Sequence, residues 1–416
     1  MKVGFFSLGC RVNCAESESL KRQLLEVGFD IVSKEEAMDI CVINSCSVTA
    51  TSDKKTRQLV SRANRKGAFV ALIGCFVTAF PEKVAALRID LALSNKEKMT
   101  LPGLLRQRFA GKLKASRQSV GAYAVCKTRA FLKIQDGCNR ACAYCIIPKA
   151  RGGSCSKRSA EIKAELNGFV AAGFKEVVLV GINLLLYGCE IGEKLIDVIE
   201  MVCASPGIQR VRLSSLEPEA MVVAMLKRLA SQEKFCPHFH ISLQSGSNRT
   251  LKAMNRCYTA EWYEESIHRI RDLFENPAIT TDVIVGFPGE TEEDFLESLA
   301  FIGKMKFAKV HIFPYSKRPG TEAAAMQGQV SSIVKAERCK RLAAASQNSQ
   351  LAFLKNMVGK REKVLFENVA QDGALKGYTA NYVRVSVRSE KDLVNRLVAV
   401  KILDANEDGC FGAEVD

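Results

Sequence analysis

Six short apolar runs, at residues 131–135, 176–180, 210–214, 238–243, 280–285 and 309–313, alternate with stretches of helical period, among them 158–172, 218–231, 260–274 and 291–305. Near-continuous apolar strands separated by helices point to a parallel sheet buried on both faces. Six such units in succession predict an incomplete form of the eightfold α/β barrel, a fold that does its chemistry at the carboxyl ends of its strands. The loop after the first of these strands reads Asp-Gly-Cys-Asn-Arg-Ala-Cys-Ala-Tyr-Cys and holds Cys138, Cys142 and Cys145. Three thiolates at this C-x3-C-x2-C spacing suit three irons of a [4Fe–4S] cluster and leave the fourth iron open to a ligand. A closed structural zinc needs four ligands, and the four histidines, His238, His240, His268 and His311, lie far along the chain. Zinc and plain buried thiols are the competing readings.

A second α/β series precedes the first. Apolar runs at 3–8, 40–43 and 70–73 are followed by helical segments near 16–27, 52–66 and 81–87, which predicts a small open parallel sheet. Cys10, Cys46 and Cys75 each stand just after one of its strands. If those strands are neighbours, the three thiols emerge at one edge, where open α/β sheets hold ligands. Glycines before Cys10 and Cys75 permit tight turns there. A second cluster is the functional reading, and three small buried hydrophobes the plain one. Cys41 falls inside a strand and reads as core; Cys14, on the following helix, is open to either reading.

Residues 106–125 are basic and rich in small side chains, as in a linker. After a helix at 331–357 the period changes to two: 382–388 reads Tyr-Val-Arg-Val-Ser-Val-Arg, with Arg384 and Arg388 expected outward, and 361–369 and 397–405 are also strand-like. Glycines 359, 373, 377 and 409 punctuate this region, and a small β-barrel results. The expected domains are therefore 1–110, 111–127 as linker, 128–356 and 357–416.

Sixteen unevenly clustered cysteines, with no secretory leader, argue for reduced thiols in a cytoplasmic protein rather than a disulfide framework. The longest apolar stretch, 68–80, is too short to span a bilayer, so no membrane partner is expected. A net charge of +15 predicts attraction to polyanions, nucleic acid foremost, against the plainer reading of a generally basic surface.

The triad with Tyr144 resembles the signature of the radical S-adenosylmethionine superfamily. Taken with Cys10, Cys46, Cys75 and the terminal barrel, the whole chain resembles the methylthiotransferases, in which a cluster domain, a radical core and a TRAM domain follow in that order. The resemblance implies two [4Fe–4S] clusters and S-adenosylmethionine as cofactors. The cluster at Cys138, Cys142 and Cys145 would chelate S-adenosylmethionine and yield a 5′-deoxyadenosyl radical, and the cluster at Cys10, Cys46 and Cys75 would be the sulfur site. It also implies cofactor contacts at the strand ends: Gly181 and Asn183 at the methionine end, Glu217 and Gln244 near ribose or carboxylate, Ile284 and Gly286 near adenine, Tyr144 packed beside that adenine, and Arg256 facing the ligand carboxylate. A radical answers a physical need, since an unactivated C–H bond offers no handle to a general base.

Within the family, one branch modifies an aspartate of a ribosomal protein, and others modify the adenosine 3′ of the tRNA anticodon, bearing an isopentenyl or a threonylcarbamoyl group. Gly-Cys-Arg-Val-Asn at 9–13, Arg-Leu-Ser-Ser-Leu-Glu at 212–217, His-Ile-Phe-Pro-Tyr-Ser at 311–316 and Gly-Tyr-Thr-Ala-Asn-Tyr-Val at 377–383 resemble the threonylcarbamoyl branch. Cys14 departs from it, where Gln is commoner. The implied partners are the anticodon stem-loop of tRNA, an electron donor such as a flavodoxin or ferredoxin, and a sulfur donor. Unstacked loop bases and backbone phosphates suit a basic surface, with Lys376, Tyr378, Tyr382, Arg384 and Arg388 on the barrel and Lys112, Lys114 and Arg117 in the linker as candidate contacts. The alternatives are the isopentenyl and protein-modifying branches and, from another class, a non-catalytic metal-stabilised RNA-binding module.

Overall fold

The computed structural model describes residues 1–113 and 128–415, so Lys114 and Arg117 lie outside the described residues. The chain opens with a five-stranded parallel sheet in the spatial order Asp30–Val32, Lys2–Ser7, Ile40–Ser45, Phe69–Gly74, Leu91–Leu93. Alternate residues of its central strands feed two cores. Ile40, Val42, Ala71 and Ile73 pack with Leu20, Leu24, Leu101 and Leu105 on one face, while Cys41, Ile43, Val70 and Leu72 pack with Val60, Ala63 and Phe76 on the other. Helices Arg11–Glu26 and Ala50–Arg65 thus cover opposite faces, which is why these strands are apolar throughout. Cys41 is core, as expected. The two edge strands, three residues each, leave no readable period in the sequence.

One correction concerns the basic stretch from residue 106. Helix Leu101–Phe109 takes in its first four residues, burying Leu101 and Leu105 one turn apart and setting Phe109 edge-on to Phe69 at 5.3 Å. Arg106 and Arg108 mark the outer side of that helix rather than a linker. Lys112 ends a 3-10 turn, Ala110–Lys112.

The second unit has parallel strands Arg129–Lys133, Glu176–Val180 and Arg210–Leu213 in one ladder, and His238–His240, Ala278–Val285 and Lys309–Pro314 in another. Hydrogen bonds from Leu216 N to His240 O (2.8 Å) and Ser242 N to Leu216 O (3.1 Å) join the ladders into one open row. Helices Ser159–Ala171, Leu195–Cys203, Val223–Ala230, Ala260–Leu273 and Glu292–Met305 form the outer layer, and the largest apolar core lies between them and the strands. This is the incomplete α/β barrel that the sequence predicts, with its strand carboxyl ends on one side.

Helix Ser332–Lys355 then leads into a closed five-stranded barrel, Arg361–Val369, Leu375–Tyr378, Arg384–Val387, Gly409–Glu414 and Leu397–Asn406 in ladder order. Val364, Phe366, Val385, Val387, Val400 and Ile402 fill it. Here a second correction arises. Tyr382 has φ +67°, so the period-two pattern fails at that residue and the strand starts only at Arg384. The Tyr378 and Tyr382 rings stack at 4.9 Å and turn onto the core beneath Arg129 and Arg212. They dock the barrel rather than offer an outward face to RNA. Lys376 and Arg384 are half-buried and Arg388 is exposed on the barrel surface. Among the described residues no helix is long and apolar enough to cross a membrane.

Candidate active site

The register of the first sheet brings Cys10, Cys46 and Cys75 to one edge. Cys10 caps helix Arg11–Glu26, Cys46 follows strand Ile40–Ser45, and Cys75 opens the short helix Cys75–Ala79. Gly9 has φ +90°, and a Cβ there would stand 2.6 Å from Cys46 Sγ, so only glycine lets the Cys10 loop close on Cys46. Asn95 Nδ2 donates to Cys75 Sγ at 3.4 Å. Burial raises the Cys10 thiol pKa, against the nearby Arg151 guanidinium, and pushes Cys46 up to about 11. Thiolates at this edge therefore need a cation such as iron beside them. Cys14 sits one helical turn on, its sulfur 4.0 Å from Ser7 Oγ.

Cys138, Cys142 and Cys145 occupy the loop beyond strand Arg129–Lys133. Gly137, at φ +68°, makes this loop possible, because a Cβ would fall 1.9 Å from Gly153 O. Cys138 Sγ accepts from Arg140 N (3.5 Å) and Asn183 Nδ2 (3.7 Å). Cys142 Sγ accepts from Arg256 Nη1 (3.3 Å), and Arg256 also pairs with Glu217 and bonds Tyr258 Oη at 3.0 Å. Burial raises the Cys142 thiol pKa, with Arg256 opposing, and pushes Cys145 up to about 12.

One cavity of about 610 Å³ is lined by Cys10 and Cys46 of the first triad and by Cys145 of the second. Of the expected contacts, Tyr144, Gly181, Gln244 and Ile284 line it as well. Gln244 does so from a positive φ of 69° that turns its strand end inward. Tyr144 and Ile284 pack with Ala143, Phe287 and Tyr315 to make an apolar wall. The remaining expected residues do not line the cavity. Asn183 bonds the Cys138 sulfur, Glu217 and Arg256 pair with each other beside Cys142, and Gly286 lies outside, where a Cβ would meet Lys335 Cγ at 2.2 Å.

Several polar residues that sequence reasoning did not single out hold the arrangement together. Arg151, six residues past Cys145, bonds Asp136 Oδ1 (2.7 Å) and Glu16 Oε1 (3.2 Å) and also Asn13. Lys133 reaches Glu16 Oε1 at 2.6 Å, and buried Lys98 reaches its other oxygen. Burial would raise the Glu16 carboxyl pKa, but Arg151, Lys98 and Lys133 outweigh it and hold it well below the usual carboxylate range. Asp53 to Arg318 (2.6 Å) and Ala50 N to Ser316 Oγ (2.9 Å) are further ties between the two units. Deeper in the cavity, His240, Asp282 and His311 gather on adjacent strands, their ligand atoms within 4.8 Å of one another, a set able to hold a divalent cation or a polar substrate. Arg11 stands beside them. Period-two alternation back from Ile284 finds Asp282; nothing in the sequence says that Arg11 or Arg151 turns inward.

Two family matches bear on this geometry: residues 132–302 match the Radical SAM superfamily, and residues 2–94 match the uncharacterized protein family UPF0004. The chain is 36% identical over 97% of its length to the threonylcarbamoyladenosine tRNA methylthiotransferase MtaB of Bacillus subtilis, covering 94% of that protein. It is 32% identical over 99% of its length to the tRNA-2-methylthio-N(6)-dimethylallyladenosine synthase of Syntrophomonas wolfei, covering 97% of it. Among solved structures, the radical S-adenosylmethionine methyltransferase TsrM of Kitasatospora setae superposes with a TM-score of 0.56 over 78% of this chain and 77% of that one, at 12% identity, a likeness of fold.

Proposed function

The chain belongs to the radical S-adenosylmethionine methylthiotransferase family, among whose members its relatives modify tRNA, and we propose that it places a methylthio group on N6-threonylcarbamoyladenosine next to the anticodon. The observation that carries this reading is the single cavity onto which both cysteine triads open. In the proposal Cys138, Cys142 and Cys145 hold one [4Fe–4S] cluster and Cys10, Cys46 and Cys75 a second. Bound there, the clusters supply the electron that cleaves S-adenosylmethionine and the sulfur that leaves on the product.

The chain's own residues do the rest. Gly9 and Gly137 let backbone approach so that the sulfurs of each triad converge. Arg256, fixed by Glu217 and Tyr258, gives Cys142 a charged donor and favours its thiolate. Tyr144, Ile284 and Tyr315 give the cavity an apolar wall that limits solvent at the reacting centre. Gly181, Gln244 and Ile284, at the ends of the second, fourth and fifth strands, are the proposed cradle for S-adenosylmethionine, and Asn183, Glu217 and Arg256 support it from behind the triad. Gly286 acts at one remove, by letting helix Ser332–Lys355 close on the strand end. A cytoplasmic location, a one-electron donor of the flavodoxin or ferredoxin type and a sulfur donor complete the proposal.

The test is anaerobic reconstitution with iron and sulfide, then reaction with S-adenosylmethionine, reductant and a threonylcarbamoylated anticodon stem-loop, read by nucleoside mass spectrometry. A gain of one methylthio group on that adenosine, lost in Cys138→Ala and in Cys46→Ala, is expected. Gain only on isopentenylated RNA or on a ribosomal peptide would overturn the substrate.

A further inference from the structure

Buried arginines in this protein are paired. Arg151 meets Asp136 at 2.7 Å, Arg212 meets Glu176 at 2.9 Å, Arg318 meets Asp53 at 2.6 Å, Arg338 meets Glu290 at 2.7 Å, and Arg256 meets Glu217. Arg11 departs from that pattern. It lines the cavity of the two triads and also a second cavity of about 520 Å³ that runs from the barrel strands to the terminal domain. Among the described residues no carboxylate lies within ion-pair distance of it. Its guanidinium stands over the Tyr382 ring, 5.6 Å from the centroid. A cation drawn partly out of water without a counter-charge is unfavourable unless something anionic joins it.

We propose that Arg11 is the receptor for the carboxylate of the threonylcarbamoyl group and so sets which modified adenosine the enzyme accepts; this assignment rests on the substrate proposed above. The N6 substituent of that nucleoside is a urea carrying a carboxylate and a hydroxyl, whereas an isopentenyl group is hydrocarbon and brings nothing for a guanidinium to pair with. Arg11 follows Cys10 directly, yet its guanidinium stands over Tyr382, a ring outside the lining of the cavity that Cys10 and Cys46 share. It can hold the charged end of the substituent without filling the space between the triads.

The surroundings fit the rest of the group. His311 and His240 line both cavities beside Arg11 and offer ring nitrogens to the hydroxyl and the urea. Asp282, in the first cavity, is engaged by His240 Nε2 at 3.2 Å. The second cavity carries Lys309 and Arg384 beside Glu407 and Asp408, of which Asp408 is paired with Arg384 at 3.7 Å. A fork of guanidinium donors matches a carboxylate in plane, which a hydrocarbon substituent leaves unpaired.

The experiment uses the reconstituted full-length enzyme and two anticodon stem-loops, one bearing threonylcarbamoyladenosine and one its methyl ester, which removes the charge and keeps the shape. Affinity by fluorescence anisotropy and methylthio product by mass spectrometry are both read. The native enzyme is expected to prefer the acid by about tenfold to hundredfold, the range for one hydrogen-bonded charge. Arg11→Gln should erase that preference by weakening the acid alone, and Arg11→Lys, a point charge without the fork, should keep part of it. Iron content identifies folded, loaded protein; if Arg11→Gln does not load, the preference of Arg11→Lys decides, and a preference equal to that of the native enzyme counts against the guanidinium. An acid preference that survives Arg11→Gln overturns the proposal while leaving the substrate in place. A native enzyme that ignores the threonylcarbamoyl stem-loop and modifies the isopentenyl one overturns the substrate reading, and Arg11's role with it.

Discussion

Glu16 is the carboxylate on which the meeting of the two α/β units turns. It lies under the N-terminal triad with Arg151, Lys98 and Lys133 around it. Its carboxyl pKa is lowered on folding, so it contributes stability that is fully present above the unfolded carboxylate range, near pH 4.3, and is lost as pH falls toward its lower folded value. Glu16→Gln strands buried Lys98, while Arg151 keeps Asp136, and is expected to destabilise the protein by about 3–5 kcal/mol at neutral pH. Chemical denaturation of both proteins from pH 7 down to pH 3 checks this: the gap should shrink below about pH 4, and a gap that is flat with pH would contradict the sign. The cysteines proposed as cluster ligands were legible in the sequence because such chemistry would fix residue type and spacing. Glu16, Arg151 and Arg11 were not, since a charge on a helix reads as solvated surface until its partners, more than a hundred residues away for Glu16 and Arg151, are known.

At the scale of elements, the parallel strands do two tasks. Their carboxyl ends carry the cavity, and their amino ends receive the terminal barrel. Arg210 and Arg212 occupy the latter side: Arg212 is fully buried, pairs with Glu176, and donates to Ala380 O at 2.8 Å, while Arg210 donates to Tyr378 O at 2.8 Å. Glu176→Gln would leave Arg212 as an uncompensated buried charge. The expected result is a loss of about 3–5 kcal/mol in denaturant unfolding, with faster proteolysis at the junction after residue 357; an unchanged transition would mean that the barrel docks by other contacts. The six core strands could be read from the sequence because burial on both faces makes them continuous apolar runs. Three-residue edge strands carry no such signal, and the left-handed backbone at Tyr382 breaks the period where the alternation reads as regular. Helix Leu101–Phe109 was hidden by basic residues on its outer face.

For the whole molecule, the two α/β units share one cavity. The N-terminal sheet brings three thiols to its edge, the partial barrel brings three more, and the ion pairs Arg151–Glu16 and Arg318–Asp53 tie the two units together. Charge of +15 over 416 residues favours polyanions such as the proposed RNA substrate, a property of the sum that no single lysine reveals. The fold order and the two triads were open to sequence reasoning, whereas their convergence on a single cavity depended on strand register and on long-range ion pairs. The most direct test of the account is therefore an iron count, by colorimetric assay and cluster absorbance, on the anaerobically reconstituted protein and on two triple variants, Cys10/Cys46/Cys75→Ala and Cys138/Cys142/Cys145→Ala. The account predicts about eight irons per chain in the native protein and about four in each variant; about four in the native protein, unchanged when the first triad is removed, would contradict it.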